Sequence, residues 1–341
     1  MFKKFIFILA LICFSKTVKA KVSFSHSPQN TLIIAHRGAS GYLPEHSLAA
    51  KSLAFFQGAD FIEQDVVLTK DNIPIVIHDI YLETVTNVKE VFPQRARQDG
   101  RFYAIDFTLA EVKRLLLHER TDPKTGKAVY PNRFPSDLLL FQIPTLEEEL
   151  SLIRALNQKN NKKVGVYVEI KKPEFHKNEN KDISLIVLKV LQNFSYEKHL
   201  PQVFIQCFHA DTLIRLKKLT PIPLIQLIAD DSWQESSDNF AKMLTRKGLE
   251  HIATYAYGIG PWWPQLLQGF KKARPLWSPL IANARELGLK IHSYTFRKEE
   301  VPKEMKSFSD FITLFLKSSA IDGMFTDYPL EVVNIRKPFI N

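Results

Sequence analysis

The sequence predicts an α/β protein built as a (β/α)8 (TIM) barrel, with an insertion after the second or third barrel strand. Three observations predict it. Short β-rich runs alternate with longer helical stretches along most of the chain. Many of these runs are Ile/Val-rich without clean apolar–polar alternation, the pattern of parallel strands buried on both faces. Rare, reactive side chains fall where the runs end, and the C-terminal strand ends are the face on which such barrels carry their sites.

The first twenty residues stand apart from the fold. Lys3 and Lys4 precede an apolar run from Phe5 to Phe14, and Val18-Lys19-Ala20 closes the stretch with small residues at the usual cleavage positions. This is the pattern of a secretory signal peptide cleaved near Ala20, and the run is too short to span a bilayer as a helix. The expected location is therefore periplasmic. Residues 21–341 are expected to form one domain.

Strand candidates follow in order: Thr31–Ala35, Asp60–Val66, Ile73–Ile77, Val164–Glu169, Val203–Gln206, Ile222–Ile228, Leu289–Thr295 and Ile321–Phe325, with a weaker run at Ala253–Gly258. Helical patterns lie between them at Ser47–Gln57, Leu146–Asn157, Ile183–Phe194 and Asp211–Leu219, the last opening on an aspartate suited to capping. One interval breaks the rhythm. After Ile77 the next core-like run begins only at Val164, far more chain than a loop and one helix require. The segment from Asp79 to about Pro144 is rich in turn signals, with a helical patch at Leu109–His118. Phe92, Phe102, Tyr103, Phe107 and Phe134 give it packing surface, so it reads as an insertion folded over the barrel mouth rather than a linker.

Composition limits the function classes. With 45% hydrophobic and 24% charged residues the chain is ordinary globular protein. Loss of Lys3, Lys4, Lys16 and Lys19 with the leader lowers the net charge from +10 to +6. That excess favours anionic substrates, but no basic run with interleaved aromatics suggests nucleic-acid binding. The mature chain keeps one cysteine, Cys207, so no internal disulfide staples it, and Cys207 reads as core. No amphipathic membrane helix follows the leader, and nothing in the sequence fixes an oligomeric state. Gly38 and Gly41 are too sparse for a phosphate-cradling glycine loop. No G-x-S-x-G elbow and no closely spaced zinc ligands occur. The Trp262-Trp263 pair after Gly258-Ile259-Gly260-Pro261 suits a loop rim or simple packing equally.

The chemistry lies at the strand ends. His36-Arg37-Gly38 follows Leu32–Ala35, and His78-Asp79 follows Ile75-Val76-Ile77. Glu63 and Asp65 are two apart on one strand, so both carboxylates share a face. Glu169 and Lys171 end another strand. Two like charges at the barrel mouth are costly without a compensating cation or proton. With Glu169 as a third carboxylate the set suits a hard divalent cation, Ca²⁺ or Mg²⁺. The alternative is salt-bridging to Arg37 and Lys171. Two histidines near neutral pKa can divide the proton transfers of phosphodiester cleavage, while a cation and Arg37 stabilise the phosphoryl oxygens.

In order along the chain, Ala35-His36-Arg37-Gly38-Ala39-Ser40-Gly41, Pro44-Glu45, Glu63-Gln64-Asp65 and His78-Asp79 resemble the glycerophosphodiester phosphodiesterase family. Val168-Glu169-Ile170-Lys171, Gln206-Cys207-Phe208 and Asp322-Gly323-Met324-Phe325-Thr326-Asp327-Tyr328-Pro329 extend the resemblance to nearly the whole mature chain. The leader and long insertion resemble its periplasmic bacterial branch. The resemblance implies a (β/α)8 barrel that hydrolyses deacylated glycerophospholipids, such as glycerophosphocholine or glycerophosphoethanolamine, to sn-glycerol 3-phosphate and an alcohol. It implies acid/base roles for His36 and His78, and a metal site of Glu63, Asp65 and Glu169, usually for Ca²⁺. Arg37, with Lys171 assisting, would contact phosphate, and Glu45, Gln206 and Tyr294 would support these groups. Two departures stand out: His46-Ser47 where the wider family has Asn-Thr, and Tyr294-Thr295-Phe296-Arg297 where many relatives have Trp-Thr-x-Asn.

Overall fold

A computed structural model describes residues 28–340 apart from 136 and 199–201. The leader proposed for residues 1–20 lies outside the described residues.

Eight parallel strands close on themselves. They are β1 (Leu32–Ala35), β2 (Phe61–Leu68), β4 (Gly165–Ile170), β5 (Val203–Cys207), β6 (Leu224–Ile228), β7 (Gly258–Pro261), β10 (Lys290–Phe296) and β11 (Gly323–Thr326). Their order round the ring is β1-β11-β10-β7-β6-β5-β4-β2, and pairing of Ile34 with Phe61 and Ala35 with Ile62 shuts it. The predicted (β/α)8 barrel is the observed fold. Every residue of β2 and β4 is buried, as strands with filled barrel inside and helices outside require. The interior is plugged by Ile34, Phe61, Tyr167, Phe204, Ile225 and Phe325, with Tyr167 stacked on Phe204 at 5.0 Å between ring centroids. A larger core lies between strands and helices.

The Ile73–Ile77 run is not a barrel strand. Its core, β3 (Pro74–Val76), turns back antiparallel along the end of β2, pairing Val66 with Val76 and Leu68 with Pro74. The barrel count therefore passes from β2 to β4, and the extra chain follows the second barrel strand. The weak run at Ala253–Gly258 is also displaced. Those residues follow the helix Arg246–Ile252 as a turn, and the strand is β7, which begins only at Gly258. Its glycines hid it, and packing requires them: a Cβ on Gly260 would meet Leu227 Cδ2 at 2.6 Å, and one on Gly258 the Lys290 carbonyl at 2.6 Å. A short antiparallel hairpin, β8 (Leu267–Lys271) and β9 (Arg274–Trp277), follows β7.

Helices Leu48–Phe56, Leu146–Asn160 and Ile183–Asn193 occupy the predicted places. Ser47 caps the first through its side chain, and Thr145 with Glu148 forms a capping box on the second. Asp211 is not a cap. The helix Ala210–Leu216 starts after His209, whose side chain makes no capping bond, and Asp211 sits in its first turn. Likewise the patch at Leu109–His118 is helical only over Leu109–Val112.

The segment between β3 and the helix Leu146–Asn160 carries a core of its own. Ile80, Leu82, Val85, Val88, Phe102, Phe107, Leu115 and Leu117 pack on Val67, Ile75 and Ile77. Among the described residues, no helix is long and apolar enough to cross a membrane.

Candidate active site

The strand ends converge on one cavity of about 200 Å³ at the C-terminal mouth of the barrel. His36, Arg37, Glu63, His78, Glu169, Lys171, Gln206 and Tyr294, all singled out in the sequence, line it. Asp65 lies beneath, fully buried, and Glu45 borders an adjoining hollow of about 220 Å³ that shares His36, Arg37 and His78.

β1 delivers His36 and Arg37 into a sharp turn. Arg37 and Gly38 both take positive φ, 57° and 85°. A left-handed arginine is uncommon, and local backbone strain of this kind concentrates at functional sites. The turn aims the Arg37 amide at Glu63 Oε2, 2.8 Å away, and its guanidinium at Glu45, with Nη1 2.9 Å from Oε2. Arg37 Nε has no hydrogen-bond acceptor among the described residues. Burial opposes the ionised Glu45 carboxylate, but Arg120 and Arg37 hold it well below the usual range.

Glu63, Asp65 and Glu169 stand on the paired strands β2 and β4, and Asp65 is directly beside Glu169 in register. One oxygen from each lies within 4.8 Å of the others. Glu63 is braced by the Arg37 amide and by Gln206 Nε2, 2.9 Å from Oε1. Asp65 Oδ2 accepts from His46 Nε2 at 2.8 Å, while Oδ1 has no hydrogen-bond partner among the described residues. Lys171 Nζ is 2.6 Å from Glu169 Oε1. Burial together with Asp65 and Glu169 pushes the Glu63 carboxyl well up. Burial drives Glu169 to about 8 despite Lys171. Lys171, and Arg37 with Nε 3.6 Å from Asp65 Oδ2, make the salt bridges expected as the alternative, yet Glu63 and Glu169 stay raised, and hard oxygens with Asp65 Oδ1 unbonded among the described residues fit a divalent cation.

Both histidines are held the same way. His36 Nδ1 donates to Asp327 Oδ1 at 2.6 Å, and His78 Nδ1 to Asp79 Oδ1 at 2.6 Å. Each ring therefore turns Nε2 to the cavity side, 3.8 Å from Glu63 Oε2 for His36 and 3.2 Å from Lys171 Nζ for His78. Burial lowers His36 to about 3 against the pull of Asp327, and lowers His78 as well, with Arg37 and Lys171 adding to the effect. Asp327 is pinned in turn by Arg133 Nη2 at 2.7 Å and Arg297 Nε at 2.9 Å.

Sequence patterns did not single out these partners. Asp327 lay within the Thr-Asp-Tyr-Pro run and Asp79 beside His78, but their contacts to histidine needed the fold. Arg120, Arg133 and Tyr130 bring the insertion to the hollow beside His36 and His78. Phe208, Trp233, Glu235 and Trp262 complete the cavity wall. Of the tryptophan pair, Trp262 borders the cavity and contacts Trp233 at 5.0 Å, whereas Trp263 packs on Phe311 at 5.0 Å. Tyr294 donates to the Ile228 carbonyl at 2.9 Å. Cys207 is fully buried core, and burial pushes its thiol up, out of reach of nucleophilic use.

Comparison with known proteins places this arrangement. Residues 36–331 match the model of the Glycerophosphoryl diester phosphodiesterase family. The chain belongs to this family. A glycerophosphodiester phosphodiesterase of Haemophilus influenzae is 40% identical over 319 residues, 87% of each chain. One of Treponema pallidum is 38% identical over 328 residues, covering 90% of this chain and 92% of that one. Membership makes the protein a hydrolase of glycerophosphodiesters. Among solved structures, a glycerophosphodiester phosphodiesterase of Thermotoga maritima superposes with a TM-score of 0.55 at 20% identity, covering 89% of this chain and 98% of that one. An Oleispira antarctica phosphodiesterase in complex with the product sn-glycerol-3-phosphate gives 0.58 at 24%, covering 90% and 96%. These likenesses carry the fold.

Proposed function

We propose that the cavity hydrolyses small glycerophosphodiesters, among them glycerophosphocholine and glycerophosphoethanolamine, to sn-glycerol 3-phosphate and an alcohol, with a divalent cation held by Glu63, Asp65 and Glu169. One observation carries the reading: two histidines, each tied by Nδ1 to a carboxylate, turn Nε2 toward a cavity floored by a carboxylate triad. We favour Ca²⁺ over Mg²⁺ because three clustered carboxylates in a site with room for further oxygen ligands suit the loose coordination of Ca²⁺, whereas Mg²⁺ demands near-ideal octahedral geometry. When bound, the cation neutralises phosphoryl oxygen charge and polarises the reacting P–O bond.

The chain's own groups divide the remaining work. His36, held neutral by burial, offers its Nε2 lone pair to the attacking hydroxyl as general base. His78, a quarter of whose side chain is exposed, would first take up a proton at Nε2 from solvent and then pass it to the departing alkoxide. Arg37, whose Nε–H has no hydrogen-bond acceptor among the described residues, and Lys171 contact the phosphoryl oxygens. The attacking oxygen is water or the neighbouring glycerol hydroxyl, and a transient cyclic phosphate would mark the second. A cavity of about 200 Å³ suits a deacylated substrate rather than one with acyl chains. We place the enzyme in the periplasm on the pattern of residues 1–20.

The test is release of sn-glycerol 3-phosphate from glycerophosphocholine by the purified protein, with chelator and then with Ca²⁺ restored. Release that stops with chelator and returns with Ca²⁺ is expected, and His36→Ala and Glu63→Ala should abolish it. Undiminished release in chelator, or in either variant, would overturn the mechanism.

A further inference from the structure

Two charged side chains are fully buried behind the triad, where no substrate reaches. Lys51, on the helix Leu48–Phe56, and Glu149, on the helix Leu146–Asn160, are each 0% exposed. Lys51 Nζ lies 2.9 Å from Glu149 Oε2 and 3.1 Å from His46 Nδ1, and it also donates to the Glu63 carbonyl. The ammonium, which can only donate, bonds to His46 Nδ1 and the Glu63 carbonyl, with Glu149 as its ion partner. Stability alone explains the pair poorly, since apolar residues of similar volume replace a buried ion pair at little or no cost.

The consequence runs through His46. An ammonium only donates, so His46 Nδ1 must accept, and the ring proton sits on Nε2. That proton is donated to Asp65 Oδ2 at 2.8 Å, which leaves Oδ1 free within the carboxylate triad. The same ammonium fixes the backbone of Glu63, a second member of the triad. We propose that Lys51 is a positioning residue of the cation site. It sets the tautomer of His46, and through it the orientation of Asp65, while Glu149 serves as its buried counter-ion. This rests on the cation-binding reading of Glu63, Asp65 and Glu169.

The test is Ca²⁺ binding by titration calorimetry on the full chain, independent of turnover. Lys51→Met alone leaves Glu149 buried without a counter-ion and lowers stability, so the informative variant is Lys51→Met with Glu149→Leu, which removes both charges. His46→Leu is the second variant, since it keeps the ion pair and cuts only the link to Asp65. Each, checked by circular dichroism to be folded, is expected to bind Ca²⁺ about 10–100-fold more weakly than the parent. In the double variant the His46 ring nitrogens should also lose the pure Nε2–H signature in ¹⁵N NMR. Parental Ca²⁺ affinity in either folded variant would overturn the proposal and leave the cation site standing. Absence of Ca²⁺ binding by the parent, or undiminished binding by Glu63→Gln, would instead bring down the cation reading and this proposal with it.

Discussion

His36 Nδ1 and Asp327 Oδ1 are 2.6 Å apart although 291 positions separate them in the chain. β1 and β11 are neighbours in the closed ring, with Ala35 beside Thr326, so the residues following each strand meet at the barrel mouth. A carboxylate can only accept, so the contact puts the neutral ring's proton on Nδ1 and leaves Nε2 free as a base. Burial opposes the charge on Asp327, but Arg297 and His36, with Arg133, hold it well below the carboxylate range.

Replacing Asp327 by Asn should therefore leave the fold and spoil the tautomer. An amide in that place can donate as well as accept, and Arg133 and Arg297 lose their shared anion. The expected result is a fall in kcat of about 10²–10⁴-fold with a small change in KM, by analogy with other histidines deprived of an orienting carboxylate. Steady-state kinetics on glycerophosphocholine measures it. A parental kcat would show that Asp327 does not set the His36 proton.

Cation binding should also be visible as stability. A ligand that binds only the native state adds about 2.7 kcal/mol at a hundred times its Kd. Ca²⁺ should thus raise Tm in a concentration-dependent way, and chelator should reverse the gain. In Asp65→Asn the gain should be lost, because the triad is reduced to two carboxylates. Differential scanning calorimetry with Ca²⁺ and with Mg²⁺ checks this, and Ca²⁺ should give the larger shift at equal concentration.

His36, Arg37, Glu63, His78, Glu169 and Lys171 of the cavity, with Asp65 beneath it, were legible because buried strands are apolar runs and their ends are easy to find. What stayed hidden depends on contacts distant in the chain or on packing that overrides local preference. β7 reads as a loop, since Gly258 and Gly260 are there for close approach rather than for a turn. β3 reads as a barrel strand, since the hydrophobicity of Pro74–Val76 does not reveal strand direction. Lys51 and Glu149 carried a faint signal, each a lone charge on an otherwise apolar helix face beside Ala50, Ala54 and Phe55 or Leu146, Leu150 and Ile153. That they point at each other could be learned only from the packing of the two helices.

A buried histidine outside the site predicts acid sensitivity. His176 Nε2 accepts from the Leu68 amide at 3.1 Å, and its Nδ1 donates to the Lys172 carbonyl at 3.0 Å. Burial lowers it from 6.5 to about 4, with Lys181 assisting and the Lys172 carbonyl and Glu179 opposing. Between pH 6.5 and 4 the unfolded chain binds a proton at this position that the folded chain refuses. Stability is therefore full above about 6.5 and declines as pH falls toward 4. Urea midpoints across this range should drop for the parent. They should drop less steeply in His176→Gln, whose side-chain oxygen can still accept from Leu68 without titrating. Equal slopes would remove His176 from the account.

Arg120 ties the insertion to the barrel mouth. Its Nε and Nη2 bond to the two oxygens of Glu45 at 2.9 and 2.6 Å, and Nη1 to Asp79 Oδ2 at 2.6 Å. Those same carboxylates hold Arg37 Nη1 and His78 Nδ1. One guanidinium thus links Arg37 and His78 to a segment without counterpart in the barrel itself. Arg120→Lys keeps the charge but offers no planar fork, so it cannot make the paired bonds to Glu45 while reaching Asp79. Arg120→Ala takes the shared cation from two half-buried carboxylates and so costs stability. The two variants should therefore separate stability from catalysis. Arg120→Ala should lower both Tm and kcat. Arg120→Lys should keep most of the Tm and still lose at least about 10-fold in kcat/KM, because Arg37 and His78 are no longer registered to each other. Thermal melts beside kinetics on the same preparations decide it. Full activity in Arg120→Lys would mean that Glu45 and Asp79 hold their partners without help from the insertion.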